Sequence, residues 1–154
     1  MSSSPTPAEP AVAPATGPKL VLKQATVRAP EGWFLDPSNT PDILAAAATD
    51  DDGLQGFGVV AFPGPRVTTD VHVKALLDQN YAKIDYERLP DTYLAGSKVY
   101  YLVGRDKRLK DTWDIEIGGT YGDLNYTVGF SLQGKSRAER EALVDSVLAS
   151  WEWK

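Results

Sequence analysis

The sequence predicts an α+β domain in which helices pack on an antiparallel sheet, and three observations predict it. Four segments near 86–93, 98–105, 112–118 and 124–132 are rich in β-formers, and the last two alternate strictly between apolar and polar or small residues. Such alternation marks an antiparallel sheet with one covered and one wetter face. A capping box, Ser136-x-x-Glu139, precedes an apolar stripe of Leu143, Val144, Val147, Leu148 and Trp151, which opens a helix that must cover a sheet. A second stripe, Val73, Leu76, Leu77, Tyr81 and Ile84, predicts a helix over 71–83, capped by Thr69 or Asp70.

The elements follow in order. Leu20 to Pro30 reads as a strand, and Pro30-Glu31-Gly32-Trp33 as a turn anchored in the core by Trp33 and Phe34. Asp36 to Pro41 is another turn. Ile43 to Thr49 is ambiguous, because four alanines favour helix, but Asp50-Asp51-Asp52-Gly53 is a strong turn signal. It is read as a strand that forms a hairpin with Phe57 to Phe62, where Gly56 and Gly58 mark bends or close neighbours. Pro63-Gly64-Pro65 ends that strand. Leu94-Ala95-Gly96-Ser97 joins the first two meander strands, and Gly122-Asp123 the last two. On the third strand Trp113, Ile115 and Ile117 share one face, and Thr112, Asp114 and Glu116 the other. On the fourth, Leu124, Tyr126, Val128, Phe130 and Leu132 oppose Asn125, Thr127, Gly129 and Ser131.

Composition narrows the function. A chain of 154 residues is expected to hold one folded domain. Its 21 acidic and 16 basic residues leave a net charge of −5, which argues against non-specific nucleic-acid binding. The absence of cysteine rules out a disulfide scaffold, a thiol nucleophile and a thiolate metal site. No apolar run reaches the roughly 18 residues of a membrane span, and Met1-Ser2-Ser3-Ser4 lacks the features of a signal peptide.

Residues 1–18 contain Pro5, Pro7, Pro10, Pro14 and Pro18 among small residues. They read as a disordered, semi-rigid tether, with the folded domain over 19–154. This composition resembles the stretch after the lipidated cysteine of bacterial lipoproteins, with Met1 standing where that cysteine and its signal peptide would have been removed. An extracytoplasmic, lipid-anchored location is therefore expected, with a cytoplasmic one as the alternative.

The chemistry-bearing residues form no recognisable catalytic set. The single histidine, His72, lies early in a helix, off its apolar face, and no G-x-S-x-G elbow is present, so a hydrolytic triad is not expected. Three adjacent acids before Gly53 do not match a calcium loop, whose twelfth residue would here be Ala61. One histidine and no cysteine make zinc equally poor. The glycines of 53–58 fit neither a dinucleotide fingerprint nor a phosphate loop. Asp114 and Glu116 stand about 7 Å apart along one strand face and are expected to be solvated. Arg105, Lys107 and Arg108 form a basic loop that would keep a sheet end soluble or meet an anionic partner. Tyr100 and Tyr101 point to opposite faces, and Trp153 lies past the last helix. Tyr100, Trp153, Arg105, Lys107 and Arg108 are thus the candidate partner contacts; no catalytic residue, metal or cofactor is assigned.

Pro30-Glu31-Gly32-Trp33, the strand Tyr126 to Ser131 and the ending Val147-Leu148-Ala149-Ser150-Trp151-Glu152-Trp153 together resemble the Mog/PsbP-like fold, in particular the LpqN/LpqT-type lipoproteins of actinobacteria. The likeness spans roughly Leu20 to Lys154, and its signals are mostly structural. It implies an α/β/α-type sandwich used as a binding or accessory module toward a small GTPase, a photosystem or cell-envelope partners. It implies no catalytic motif, and the lipobox cysteine is missing here. The sequence thus points to a non-enzymatic extracytoplasmic domain that binds a protein or envelope partner. The alternative is a small-molecule or lipid carrier. A pocket of roughly 300 Å³ or more between sheet and helix would favour the carrier, and a flat exposed patch at Tyr100 or Trp153 the protein binder.

Overall fold

A computed structural model describes residues 12–37, 45–79 and 83–154. The chain runs β1 (Lys19–Val21), β2 (Ala25–Arg28), β3 (Phe34–Leu35), β4 (Ala45–Thr49), β5 (Gly56–Pro63), α1 (Thr69–Asp78), β6 (Ile84–Leu94), β7 (Ser97–Asp106), β8 (Thr112–Tyr121), β9 (Leu124–Gln133), α2 (Arg137–Ala149) and β10 (Glu152–Trp153). Seven strands form one antiparallel sheet in the order β3-β4-β5-β9-β8-β7-β6, and β1, β2 and β10 form a second. The predicted α+β class, with helices on an antiparallel sheet, is the observed one.

Register explains which side chains meet. Ile115 pairs with Phe130, Ile117 with Val128, and on the next strand Phe57 pairs with Phe130 and Val59 with Val128. Opposed residues of an antiparallel pair share a face, so these side chains form one apolar layer. Val144 and Val147 of α2 and Leu20, Ala25 and Val27 of the small sheet cover it, all of them buried. The other face is covered only in part. There Val73 of α1 packs on Tyr100 and Leu102, with Leu76 and Tyr86 at the margin.

Local signals account for the element ends. The capping box of α2 is present: Ser136 Oγ accepts from Glu139 N, and Ser136 N donates to Glu139 Oε1 at 3.0 Å. The predicted β4–β5 hairpin forms, and its tip turns at Gly53 with φ +70°. Leu94 and Ser97 close a two-residue turn in which both Ala95 and Gly96 have positive φ, the mirror-image turn that matches strand twist.

Several expectations are corrected. Helix α1 starts at Thr69 with Thr68 as its cap, because the Thr68 hydroxyl, rather than Thr69 or Asp70, accepts from Val71 N. It ends at Asp78, so Ile84 belongs to β6 rather than to the helix stripe; Tyr81 lies outside the described residues, as does most of the turn at 36–41. The boundary at residue 18 also shifts. Ala15 is buried and its N–H donates to Ser146 O at 2.8 Å, while Gly17 N donates to Ala29 O at 2.9 Å. The backbone is therefore docked on α2 before Lys19; residues 1–11 lie outside the description. Phe34 is 59% exposed although Trp33 beside it is core, since neighbouring residues of an extended segment point to opposite sides.

The ending is a feature that periodicity did not reveal. After α2 the chain extends again, pairing Glu152 with Thr26 and Trp153 with Ala25. Lys154 N then donates to Gln24 O at 3.0 Å.

Candidate binding face

The uncovered part of the large sheet is built by four strands. Gly58, Gly129 and Glu116 lie in one row across β5, β9 and β8, and Gly56, Ser131 and Asp114 in the next. The register continues that second row to Thr49 and Phe34 on the outer side and to Gly104 and Tyr86 on the inner side. Glycines at 56, 58 and 129 leave no side chains standing there. A Cβ placed on Gly129 would come within 3.0 Å of Glu116 Oε2, so the Glu116 carboxylate lies across the space a side chain would occupy. The outcome is an open trough of about 440 Å³, walled by Ala47, Val60 and Thr127 with both carboxylates on its floor. Val60 and Phe62, on the same side of β5, are 53% and 45% exposed.

This placement changes the chemistry of the two acids. They are half-buried rather than solvated, and no described hydrogen bond or ion pair engages either carboxylate. Burial, then the neighbouring charge of Asp114, pushes the Glu116 carboxyl up to about 8. Burial, then the charge of Asp106, raises Asp114 to about 6. The Tyr86 phenol is raised too, first by burial and then by Glu116 and Asp114. Near neutral pH the pair is thus incompletely ionised, and a cation brought into the trough would draw out the remaining protons. Strand alternation places both acids on one face; their burial was not legible, because alternation does not reveal that the facing residues are glycines.

The expected partner contacts are dispersed. Tyr100 is buried beneath α1, 1% exposed, with its hydroxyl 3.0 Å from Thr127 Oγ1; it offers no surface. Trp153 stacks on Tyr121 at 3.8 Å, makes edge contacts with Tyr126 and Trp151, and donates from its indole to Leu94 O, so it closes an aromatic cluster. Arg105 is exposed on β7 rather than in the loop. Lys107 is exposed, whereas Arg108 folds back on the buried carboxylate of Asp106 through three hydrogen bonds, one from its backbone. Together, Arg105, Lys107 and Arg108 occupy the far end of β7 from the aromatic cluster.

His72 is likewise corrected: it faces the sheet, and burial lowers its pKa. Thr120 donates to Asn125 Oδ1 at 2.7 Å, so its oxygen accepts from His72 Nε2 at 3.2 Å, and Asn125 Nδ2 donates to Pro65 O. The hydroxyl proton is directed away from the imidazole, the reverse of a nucleophile–base pair. The chain of bonds ties α1 and its preceding loop to the sheet end. Among the described residues, no group of three or more His, Asp or Glu side chains could hold a metal ion, and no helix is long and apolar enough to cross a membrane.

No protein-family model and no curated protein matches the sequence. Solved structures do match the fold. The solution structure of cyanobacterial PsbP (CyanoP) from Synechocystis sp. PCC 6803 aligns with a TM-score of 0.59 at 16% identity, covering 99% of this chain and 98% of that one. The Ran-binding protein Mog1p of Saccharomyces cerevisiae aligns with a TM-score of 0.55 at 14% identity, covering 83% and 89%. The chain has the Mog/PsbP-like fold. A Bacteroides thetaiotaomicron structure also matches, with a TM-score of 0.58 at 13% identity and 90% coverage of this chain; the chain spans only 48% of that protein's length. In all three the identity is low enough that the likeness concerns the Mog/PsbP-like architecture alone.

Proposed function

We propose that this is a non-enzymatic binding or accessory domain whose contact surface is the open half of the large sheet. It would take a partner protein that presents Lys or Arg side chains among apolar ones. The observation that carries this reading is the pair of unpaired, half-buried carboxylates of Asp114 and Glu116, with exposed Phe34, Val60 and Phe62 on the same face. Exposed apolar side chains gathered on one face mark a contact surface, and the two carboxylates among them would select a partner of opposite charge. The Ran-binding protein of the same fold supports a protein partner in general terms.

The proline-rich composition of residues 1–18 supports an extracytoplasmic placement on a lipid anchor, as in the LpqN/LpqT-type lipoproteins that the sequence resembles. Against a carrier of lipid or of any ligand of ordinary size stands the cavity recessed between α2 and the sheet, about 150 Å³, below the ~300 Å³ such ligands occupy. A groove of about 740 Å³ beside it, reaching Tyr93 and Trp151, is open and would leave an acyl chain wet.

The test is a comparative cross-linking experiment on the natural full-length protein in its own cells, with a photoreactive residue at position 60. A defined partner should cross-link to the wild-type domain and be lost with Glu116→Lys. A cross-linking pattern indifferent to Glu116→Lys would overturn the surface assignment. Recovery of the protein wholly in the cytosol on fractionation would overturn the anchor.

A further inference from the structure

On the closed face, Arg140 lies in the first turns of α2 and is only 8% exposed. Its guanidinium carbon sits 4.0 Å from the centroid of the Trp113 ring, and Nη1 donates to Lys135 O at 2.9 Å. None of the described carboxylates pairs with it. A buried cation ordinarily requires an anion, because desolvation costs several kcal/mol per ion. Here an aromatic face and one carbonyl are the only described partners of a guanidinium with five N–H donors. Its unpaired nitrogens are not sealed off, so they remain accessible to a bound group.

Arg140 lines the recessed cavity of about 150 Å³ with Leu89, Tyr101, Val103, Trp113 and Ile115. A cavity of roughly that volume admits one six-membered ring. The start of α2 adds partial positive charge on the same side. At the rim, exposed Arg137 is occupied by Glu141 at 2.9 Å, and exposed Glu87 also borders the opening. A second negative charge on a ligand would therefore meet Glu87.

We propose that this cavity binds a small monocarboxylate bearing a single ring or an equally compact apolar group. The carboxylate sits on the Arg140 guanidinium, and the ring lies against Trp113, Tyr101 and Ile115. A planar guanidinium recognises a carboxylate with two parallel hydrogen bonds. The site lies on the opposite side of the sheet from the carboxylate trough and stands independently of that surface.

The probe is benzoate, followed through the Trp113 indole and Arg140 Nε resonances of the whole protein. Saturable shifts in the millimolar range or below are expected, with benzyl alcohol binding roughly ten- to hundredfold more weakly, the contribution of a hydrogen bond to a charged group. Phthalate, with a second carboxylate, should also bind more weakly, and Glu87→Gln should reduce that difference. Arg140→Gln should remove benzoate binding; should that variant not fold, Leu89→Phe, which fills the cavity from a half-buried wall position, should remove it instead. Benzyl alcohol binding as tightly as benzoate, no saturable shift at Trp113, or benzoate binding retained in a folded Arg140→Gln or Leu89→Phe would each overturn the proposal.

Discussion

The two faces of the seven-stranded sheet are made by the same strands and solve opposite problems. On one, Phe130, Ile117, Val128 and their neighbours are fully covered by α2 and the small sheet. On the other, α1 covers Tyr100 and Leu102, and the rest is floored by glycine and two carboxylates. Around Phe130 the covered layer resists change because close-packed side chains have little slack. The open face retains two half-buried carboxylates that cost stability above their raised pKa values, a cost that the proposed contact surface would account for.

The largest expected difference lies in the covered layer. Phe130 stacks on Phe57 at 5.3 Å, and Phe130→Ala should cost about 3–5 kcal/mol in urea unfolding by leaving a cavity. The next comparison has the opposite sign. Because the folded Glu116 carboxyl is raised to about 8 and Asp114 to about 6, their contribution to stability is fully present below their unfolded values. It is lost as pH rises through about 6 and 8. Glu116→Gln should therefore stabilise the protein near pH 8. A carboxyl raised to about 8 corresponds to about 4 kcal/mol by linkage, reduced to about 2 kcal/mol by solvent screening at this part-exposed site, with the gain vanishing toward pH 4; unfolding curves across that range check it. An unchanged pH profile would mean that the trough is as wet as the ordinary surface.

Smaller effects sharpen the contrast. Ser136→Ala removes a cap from the helix over the covered face and should cost about 1 kcal/mol, read as a lowered urea midpoint. Val60→Ser on the open face should change stability by less than about 0.5 kcal/mol yet weaken partner binding. A stability loss as large as that of a core substitution would show that Val60 is not free surface.

What the sequence made legible follows the same division. The covered face announced itself through alternation in β8 and β9, and α2 through its capping box and stripe. These signals are local, so a single pass along the chain finds them. Phe34, His72 and Glu116 were misplaced because their surroundings are set by residues distant in sequence. His72 faces inward because Thr120 and Asn125 lie beneath it, and Glu116 is half-buried because Gly129 and Gly58 leave a hollow beside it. The strand β10 escaped notice because two residues after a helix have no periodicity, and its partner β2 lies near the other end of the described chain.

That last pairing has a kinetic consequence. Arg28 N donates to Ser150 Oγ across a separation of 122 residues, whereas the meander strands join neighbours through short turns. Closing a long loop carries an entropic cost that nearby pairs avoid, and chains that depend on distant contacts fold slowly. The hairpins from β6 to β9 are therefore expected to form early, and the clasp of β10 on β2, with the Trp153–Tyr121 stack, late. Until that clasp closes, Trp151 and Trp153 lack much of their shelter, and the half-made domain presents the hydrophobic surface that chaperones recognise.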